Sequence, residues 1–224
     1  MAVLELHDVV FRYPGSARQA IAGIDLAIEP GEIVGVVGPN DAGKSTLCLV
    51  ASGLAPSSTG GEMTGRVHIE GAAGIVFQDP ATHRSGVAGT VFEEVAVGPV
   101  NLGRSVPETV AVVRSALRAV GIEDLAERHP AHLSGGQAQL LAIACALAMG
   151  PRVLVLDEPA AQLDPEATDT VVSSLRSLAA GGTALLIAEH RLDVLDALGA
   201  RRIALAGGRL GLAGGRVGPA GDAT

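Results

Sequence analysis

The run Ile33-Val34-Gly35-Val36-Val37-Gly38-Pro39-Asn40-Asp41-Ala42-Gly43-Lys44-Ser45-Thr46 decides how the rest of the chain is read. Its first five residues are apolar and β-branched except at Gly35, as expected of a strand buried on both faces of a parallel sheet. The strand leads directly into Gly38 to Ser45, which fits the pattern G-x-x-x-x-G-K-[ST]. Glycines let the main chain wrap closely around phosphates, the loop amides point inward, and the N-terminus of the following helix favours anions. Lys44 can reach the β and γ phosphates of a nucleotide, and the Ser45 hydroxyl can ligate Mg²⁺. The alternative is a glycine-rich turn with an incidental lysine, in a chain that has 30 Gly. Against that alternative, Lys44 is the only lysine and every other basic residue is Arg. Asp41 is unusual in such a loop. A carboxylate about 6 Å from a phosphate meets a repulsion of roughly 3 kcal/mol at an effective dielectric of about 20. It should therefore point outward or meet a cation.

Working outward, similar apolar runs recur at 74–77, 153–156 and Ala184–Ala188. The second ends in Asp157-Glu158, and the C-terminal end of a parallel strand is where α/β folds carry ligand chemistry. Asp157 could hold Mg²⁺, directly or through water. Glu158, on the other side by strand alternation, could orient and deprotonate an attacking water. Alone, the pair reads better as an acidic strand end before a proline turn; beside the phosphate loop, the ligand chemistry is the stronger reading. His190 follows the strand Ala184–Ala188 and could hydrogen-bond the γ phosphate. Gln78 follows the strand 74–77 and could sense the metal or the water.

The remaining segments fill in an α/β domain with a parallel sheet. Residues 3–10 and Ile21–Ile28 read as strands of an N-terminal β layer, and 201–205 with Arg209–Leu212 as a hairpin around Gly207-Gly208. Helices are expected after Lys44, after Gly136, over 166–178 and around Val194. Ser105-Val106-Pro107-Glu108 is a capping-box pattern, followed by Val110, Val113, Leu117 and Val120 at helical spacing, with Gly121 as the stop. The insertion from about 80 to 132 reads as a mostly helical subdomain of one domain spanning 1–214, with a Gly-rich tail at 215–224.

Composition narrows the function. The chain has 224 residues, 48% of them hydrophobic, and a net charge of −8. An acidic balance with three Phe, one Tyr and no Trp argues against a dedicated nucleic-acid surface, which needs basic patches and stacking platforms. The longest apolar run, 140–149, is ten residues, which suits a buried helix rather than a membrane span of about 20. No secretion signal is visible, and Cys48 and Cys145 lie in apolar surroundings that suit the core.

Leu133-Ser134-Gly135-Gly136-Gln137, 20 residues before Asp157, resembles the signature motif of ATP-binding cassette (ABC) ATPases. The resemblance covers essentially the whole chain. Lys44 and Ser45 match the phosphate loop, Gln78 the Q-loop, Asp157-Glu158 the carboxylate strand, Leu163-Asp164 the D-loop and His190 the switch histidine. Tyr13 matches the aromatic that stacks on adenine. The resemblance implies a P-loop NTPase of ABC type: a mainly parallel core sheet, an N-terminal antiparallel β layer and a helical subdomain. It also implies ATP and Mg²⁺ as ligands, held by Tyr13, by Gly38, Pro39, Asn40, Asp41, Ala42, Gly43, Lys44, Ser45 and Thr46, and with Ser45, Gln78 and Asp157 toward the metal. Ser134, Gly135, Gly136 and Gln137 form a second anion site, which in the family faces the phosphate loop of a second subunit packed head to tail. Phe77-Gln78-Asp79-Pro80, the stretch from Thr90 to Gly103, and Ala188-Glu189-His190-Arg191-Leu192-Asp193 resemble the energy-coupling factor (ECF) branch of importers. That branch takes up vitamins or transition-metal ions, and its ATPases dock on a membrane component at the cytoplasmic face. Leu140 and Cys145 stand where the family commonly has Arg, and His83 where Gln is frequent. The expectation is thus an ATP-hydrolysing importer subunit. The rivals are a soluble ABC ATPase outside transport and a regulatory subunit of a heterodimer.

Overall fold

The computed structural model describes residues 1–212 in two sheets with helices packed against the larger. The expected tail at 215–224 lies outside the described residues. Strands β1 (Leu4–Arg12), β2 (Ile21–Ile28), β3 (Ile33–Val37), β4 (Glu62–Ile69) and β5 (Ala73–Val76) occupy the first third, with helix α1 (Lys44–Ala51) after β3. Helices α2 (Val91–Asn101), α3 (Val106–Ala119) and α4 (Gly135–Leu147) follow. The chain then alternates through β6 (Val153–Asp157), α5 (Pro165–Ala180), β7 (Ala184–Ala188) and α6 (Leu192–Leu198), and closes on β8 (Arg201–Ala206) and β9 (Arg209–Leu212). The small sheet has the order β2-β1-β4 and is antiparallel. The large one has the order β5-β6-β7-β3-β8-β9 and is parallel up to β8, with β9 returning antiparallel.

The unbroken apolar runs follow from burial on both sides. On β6, Val153 and Val155 join one core, against the small sheet and α1, while Leu154 and Leu156 join the other, against the helices. β7 divides the same way, with Ala184, Leu186 and Ala188 on one side and Leu185 and Ile187 on the other. All of these are fully buried, so the central strands form a floor with no freedom to tilt independently.

β4 is the strand that the sequence pattern hides. It completes the small sheet beside β1, but Glu62, Gly65, Arg66 and His68 are exposed and only Met63, Val67 and Ile69 turn partly inward. Between 80 and 132 the helical expectation holds, and α2 is a helix in its own right. Thr90 caps it with a reciprocal box to Glu93, and Pro99 sits inside its last turn. Gly98 lets that turn approach α4, because a Cβ there would lie 2.5 Å from Met149 Sδ. Among the described residues, no helix is long and apolar enough to cross a membrane.

Candidate functional site

The loop after β3 keeps its shape through glycine at two positions. A Cβ on Gly38 would stand 2.2 Å from the Leu205 carbonyl oxygen, and one on Gly43 2.6 Å from that of Ala20. Gly43 also has φ +104°, a left-handed value that side chains rarely adopt. It is the N-cap of α1 and supplies no side-chain acceptor, so the first amides of α1 remain available to a ligand. Lys44 is buried, and its Nζ donates to the carbonyls of Gly38 at 3.0 Å and Pro39 at 3.1 Å, closing the loop around its own ammonium.

Asp41 finds its explanation here. Its φ is +60°, and Asp is among the few non-glycine residues that tolerate this region. The residue is exposed, and the Arg18 guanidinium donates to its main-chain carbonyl at 3.2 Å. The residue thus lies in solvent, as the repulsion from a phosphate requires, with the Arg18 guanidinium bound to its main chain. Arg18 lines the same cavity, about 460 Å³, together with Tyr13, Ser16, Asn40, Lys44, Ser45, Thr46 and Glu158. Tyr13 forms an edge-to-face pair with Phe11 at 4.9 Å, and its hydroxyl is 3.2 Å from Thr46 Oγ1. Its ring is thereby fixed at the rim of the phosphate cradle. Nothing in the sequence marked Arg18, an exposed arginine in a glycine- and serine-containing loop.

The carboxylates sit at the end of β6. Burial pushes the Asp157 carboxyl above the ordinary range. The Ser45 hydroxyl pulls it down, Glu158 raises it and Lys44 lowers it. Burial, with Asp157 second, likewise pushes up the thiol of Cys48, on the buried face of α1. Because the folded pKa of Asp157 exceeds the unfolded one, its ionisation subtracts stability as pH rises through the folded value, and nothing is subtracted below the unfolded value. Asp157→Asn is therefore expected to raise the melting temperature of the nucleotide-free chain near neutral pH. That gain should fade on acidification, which thermal melts between about pH 4 and pH 8 will check.

Strand alternation stops at Asp157. Glu158 has φ +51°, and its amide donates to the Ala188 carbonyl at 2.8 Å, so a left-handed turn and not the pleat aims its side chain. That corrects the expectation from alternation. Glu158 Oε2 accepts from Gln78 Nε2 at 3.2 Å and lies 3.5 Å from His190 Nδ1. Three strand ends distant in sequence, after β5, β6 and β7, thus deliver Gln78, Glu158 and His190 to one cluster. β6 and β7 are hydrogen-bonded neighbours, with Asp157 opposite Ala188.

The Ser134 to Gln137 stretch is not part of this cavity. Ser134 caps α4 with a reciprocal box: its Oγ accepts from the Gln137 amide at 3.3 Å, and Gln137 Oε1 accepts from the Ser134 amide at 3.0 Å. Gly136 packs under α5, where a Cβ would lie 2.7 Å from that of Ala167. Asp164 caps α5 through the Ala167 amide at 2.8 Å. Ser134, Gly136, Gln137 and Asp164 line a separate open cavity of about 340 Å³, which shares no lining residue with the first. The two cysteines also differ. Cys48 is buried in the core as expected, whereas Cys145 is half-buried beside Glu94, its thiol pushed up to about 12 by burial first and by that carboxylate second.

The ABC transporter family model matches residues 21–161, from β2 through the carboxylate strand. The chain belongs to the ABC transporter family of ATPases. Among relatives of this ABC ATPase, the energy-coupling factor transporter ATP-binding protein EcfA of Methanosphaera stadtmanae is 39% identical, over 86% of this chain and 72% of that protein. The protein of the same name from Methanocaldococcus jannaschii is 36% identical, over 87% and 72%. Of solved structures, cbiO1 from Clostridium perfringens, described as part of the ABC transporter complex cbiONQ, superposes with a TM-score of 0.82 at 30% identity, covering 94% of this chain and 87% of that one. An ATP-binding cassette of an ABC transporter in its ADP conformation gives 0.77 at 26% identity, covering 94% and 89%. The ABC chain is accordingly an ATP-binding transporter subunit with the cassette fold.

Proposed function

We propose that the chain binds Mg-ATP at the phosphate loop, closes head to tail on a second ATPase subunit and hydrolyses the nucleotide to energise an ECF-type membrane importer. The observation that carries this reading is the cluster in which Glu158 lines the cavity beside Lys44 and meets Gln78 and His190 from the two adjacent strands. The residues present fit the ligands. Gly38 and Gly43 leave the cradle that a Cβ would fill, and α1 offers uncapped amides to phosphate. Ser45 and Asp157 offer hard oxygen donors, the type Mg²⁺ takes while keeping several waters. Bound there, Mg²⁺ supplies charge neutralisation to the β and γ phosphates.

The work left to the chain's own residues is positioning and electrostatics, as in phosphoryl transfer generally. Lys44 and the α1 amides offset charge that develops on the phosphoryl oxygens. Glu158 accepts the proton of an attacking water, which the Gln78 amide helps to align. His190 presents its ring to the terminal phosphate, and Tyr13 offers a face to adenine. Because the signature residues line a cavity of their own, one chain carries the phosphate half and the signature half of a two-chain site. A regulatory subunit is the second reading; Asp41 is exposed in a conformation that suits Asp and does not favour it.

Similarity to the EcfA proteins and to cbiO1 supports an importer of vitamins or transition-metal ions, with this subunit held at the cytoplasmic face by an integral membrane component. Nucleic acid is not among the expected partners, given the net charge of −8. The test is to tag the chain, purify it gently from its native membrane and identify what accompanies it. Integral membrane subunits, with an identical or a homologous second ATPase, are the expected result. Recovery of soluble partners alone would overturn the importer reading.

A further inference from the structure

Glu189 is a fully buried carboxylate immediately before His190. Its amide extends the β7 ladder by donating to the Val36 carbonyl at 3.1 Å, so its main chain is tied to the strand that feeds the phosphate loop. Its side chain curls over the turn that follows. Oε1 accepts the His190 amide at 2.9 Å and the Arg191 amide at 3.1 Å, and stands 3.3 Å from His190 Nδ1. Oε2 is buried without a hydrogen-bond partner among the described residues.

That is an expensive way to hold a turn. A serine or threonine hydroxyl accepts turn amides at far lower desolvation cost than a carboxylate. What the carboxylate adds is the contact to the ring. His190 Nδ1 lies between two acids, Glu189 Oε1 on the protein side at 3.3 Å and Glu158 Oε2 on the cavity side at 3.5 Å. Both engage the same ring nitrogen, which leaves Nε2 as the edge available to a ligand. Second partners of this kind fix ring orientation and tautomer where histidine is a functional ligand.

We propose that Glu189 is a positioning residue for ATP hydrolysis. It holds His190 by its backbone amide and by Nδ1, so that Nε2 is presented to the terminal phosphate. This rests on the reading of His190 given above, and the experiment separates the two. ATP turnover by the full-length chain in its transporter complex is compared for the parent, Glu189→Ala, His190→Ala and the double variant, with ATP affinity and melting temperature measured in parallel. Glu189→Ala should lower kcat about 10-fold or more, the usual scale for an orienting partner, with KM little changed. In the His190→Ala background, the same substitution should change kcat by less than about 2-fold. Equal losses in both backgrounds would make Glu189 a structural residue and overturn the proposal. So would parental turnover by Glu189→Ala alongside a slow His190→Ala. Parental turnover by His190→Ala would overturn the reading of His190 itself, and the inference with it. If Glu189→Ala does not fold, Glu189→Gln takes its place in the cycle. It keeps an oxygen for the two amides while removing the charge facing Nδ1, and the same coupling to His190 decides the outcome.

Discussion

Glu158→Gln should slow ATP hydrolysis by about 10²–10⁴-fold, the range expected when a general base is lost, while ATP still binds. The substitution retains the shape of the side chain and removes its basicity. Gln has the length of Glu, so it can still accept from Gln78 and approach the His190 ring. The left-handed turn that aims position 158 is held by the bond from its amide to Ala188, which the substitution does not touch. The phosphate cradle around Lys44 is also unaltered. With closure intact and hydrolysis stopped, the ATP-bound dimer should accumulate. Size-exclusion chromatography with light scattering will detect it, and phosphate release will report the rate. Turnover at the parental rate would mean that the proton leaves by another route.

Lys44→Ala should instead fail at binding, weakening ATP by roughly two to three orders of magnitude, the scale of truncating one member of a desolvated charge pair. Two effects add. The ammonium is the only lysine charge in the chain, and Glu158 and Asp41 border the same cavity. Its bonds to the Gly38 and Pro39 carbonyls also hold the loop closed, so alanine removes the restraint along with the charge. Titration with a fluorescent ATP analogue measures the loss, and unchanged affinity would remove Lys44 from the phosphate site. The two variants should thus part company, one binding without turnover and the other unable to bind.

Much of this architecture is legible from residues alone. The central strands announce themselves because both faces are buried, so Val153-Leu154-Val155-Leu156 needs no polar alternation. The capping box at Ser105 marks the start of α3 at the residue where the structure has it. β4 escapes because it buries a single side and its alternation is broken by Gly65, whose φ of +85° sits over the β1 bulge at Asp8. α2 is obscured by Gly98 and Pro99, which look like breakers but serve a close approach to α4. Within the site, the strand-end residues Gln78, Asp157, Glu158 and His190 follow from topology. Arg18 does not, since nothing local distinguishes it from the other exposed arginines. Nor does Glu189, whose contribution depends on burial and on a side chain folded back over its own turn.

The adjacency of β6 and β7 has a consequence for timing. The acid and the histidine are bolted to neighbouring rungs of one ladder, Asp157 opposite Ala188, with the Glu158 amide tied across. Neither can be withdrawn between turnovers without shearing fully buried strands. In the proposed closure, the jaw on this side is thus set before a second subunit arrives to meet it.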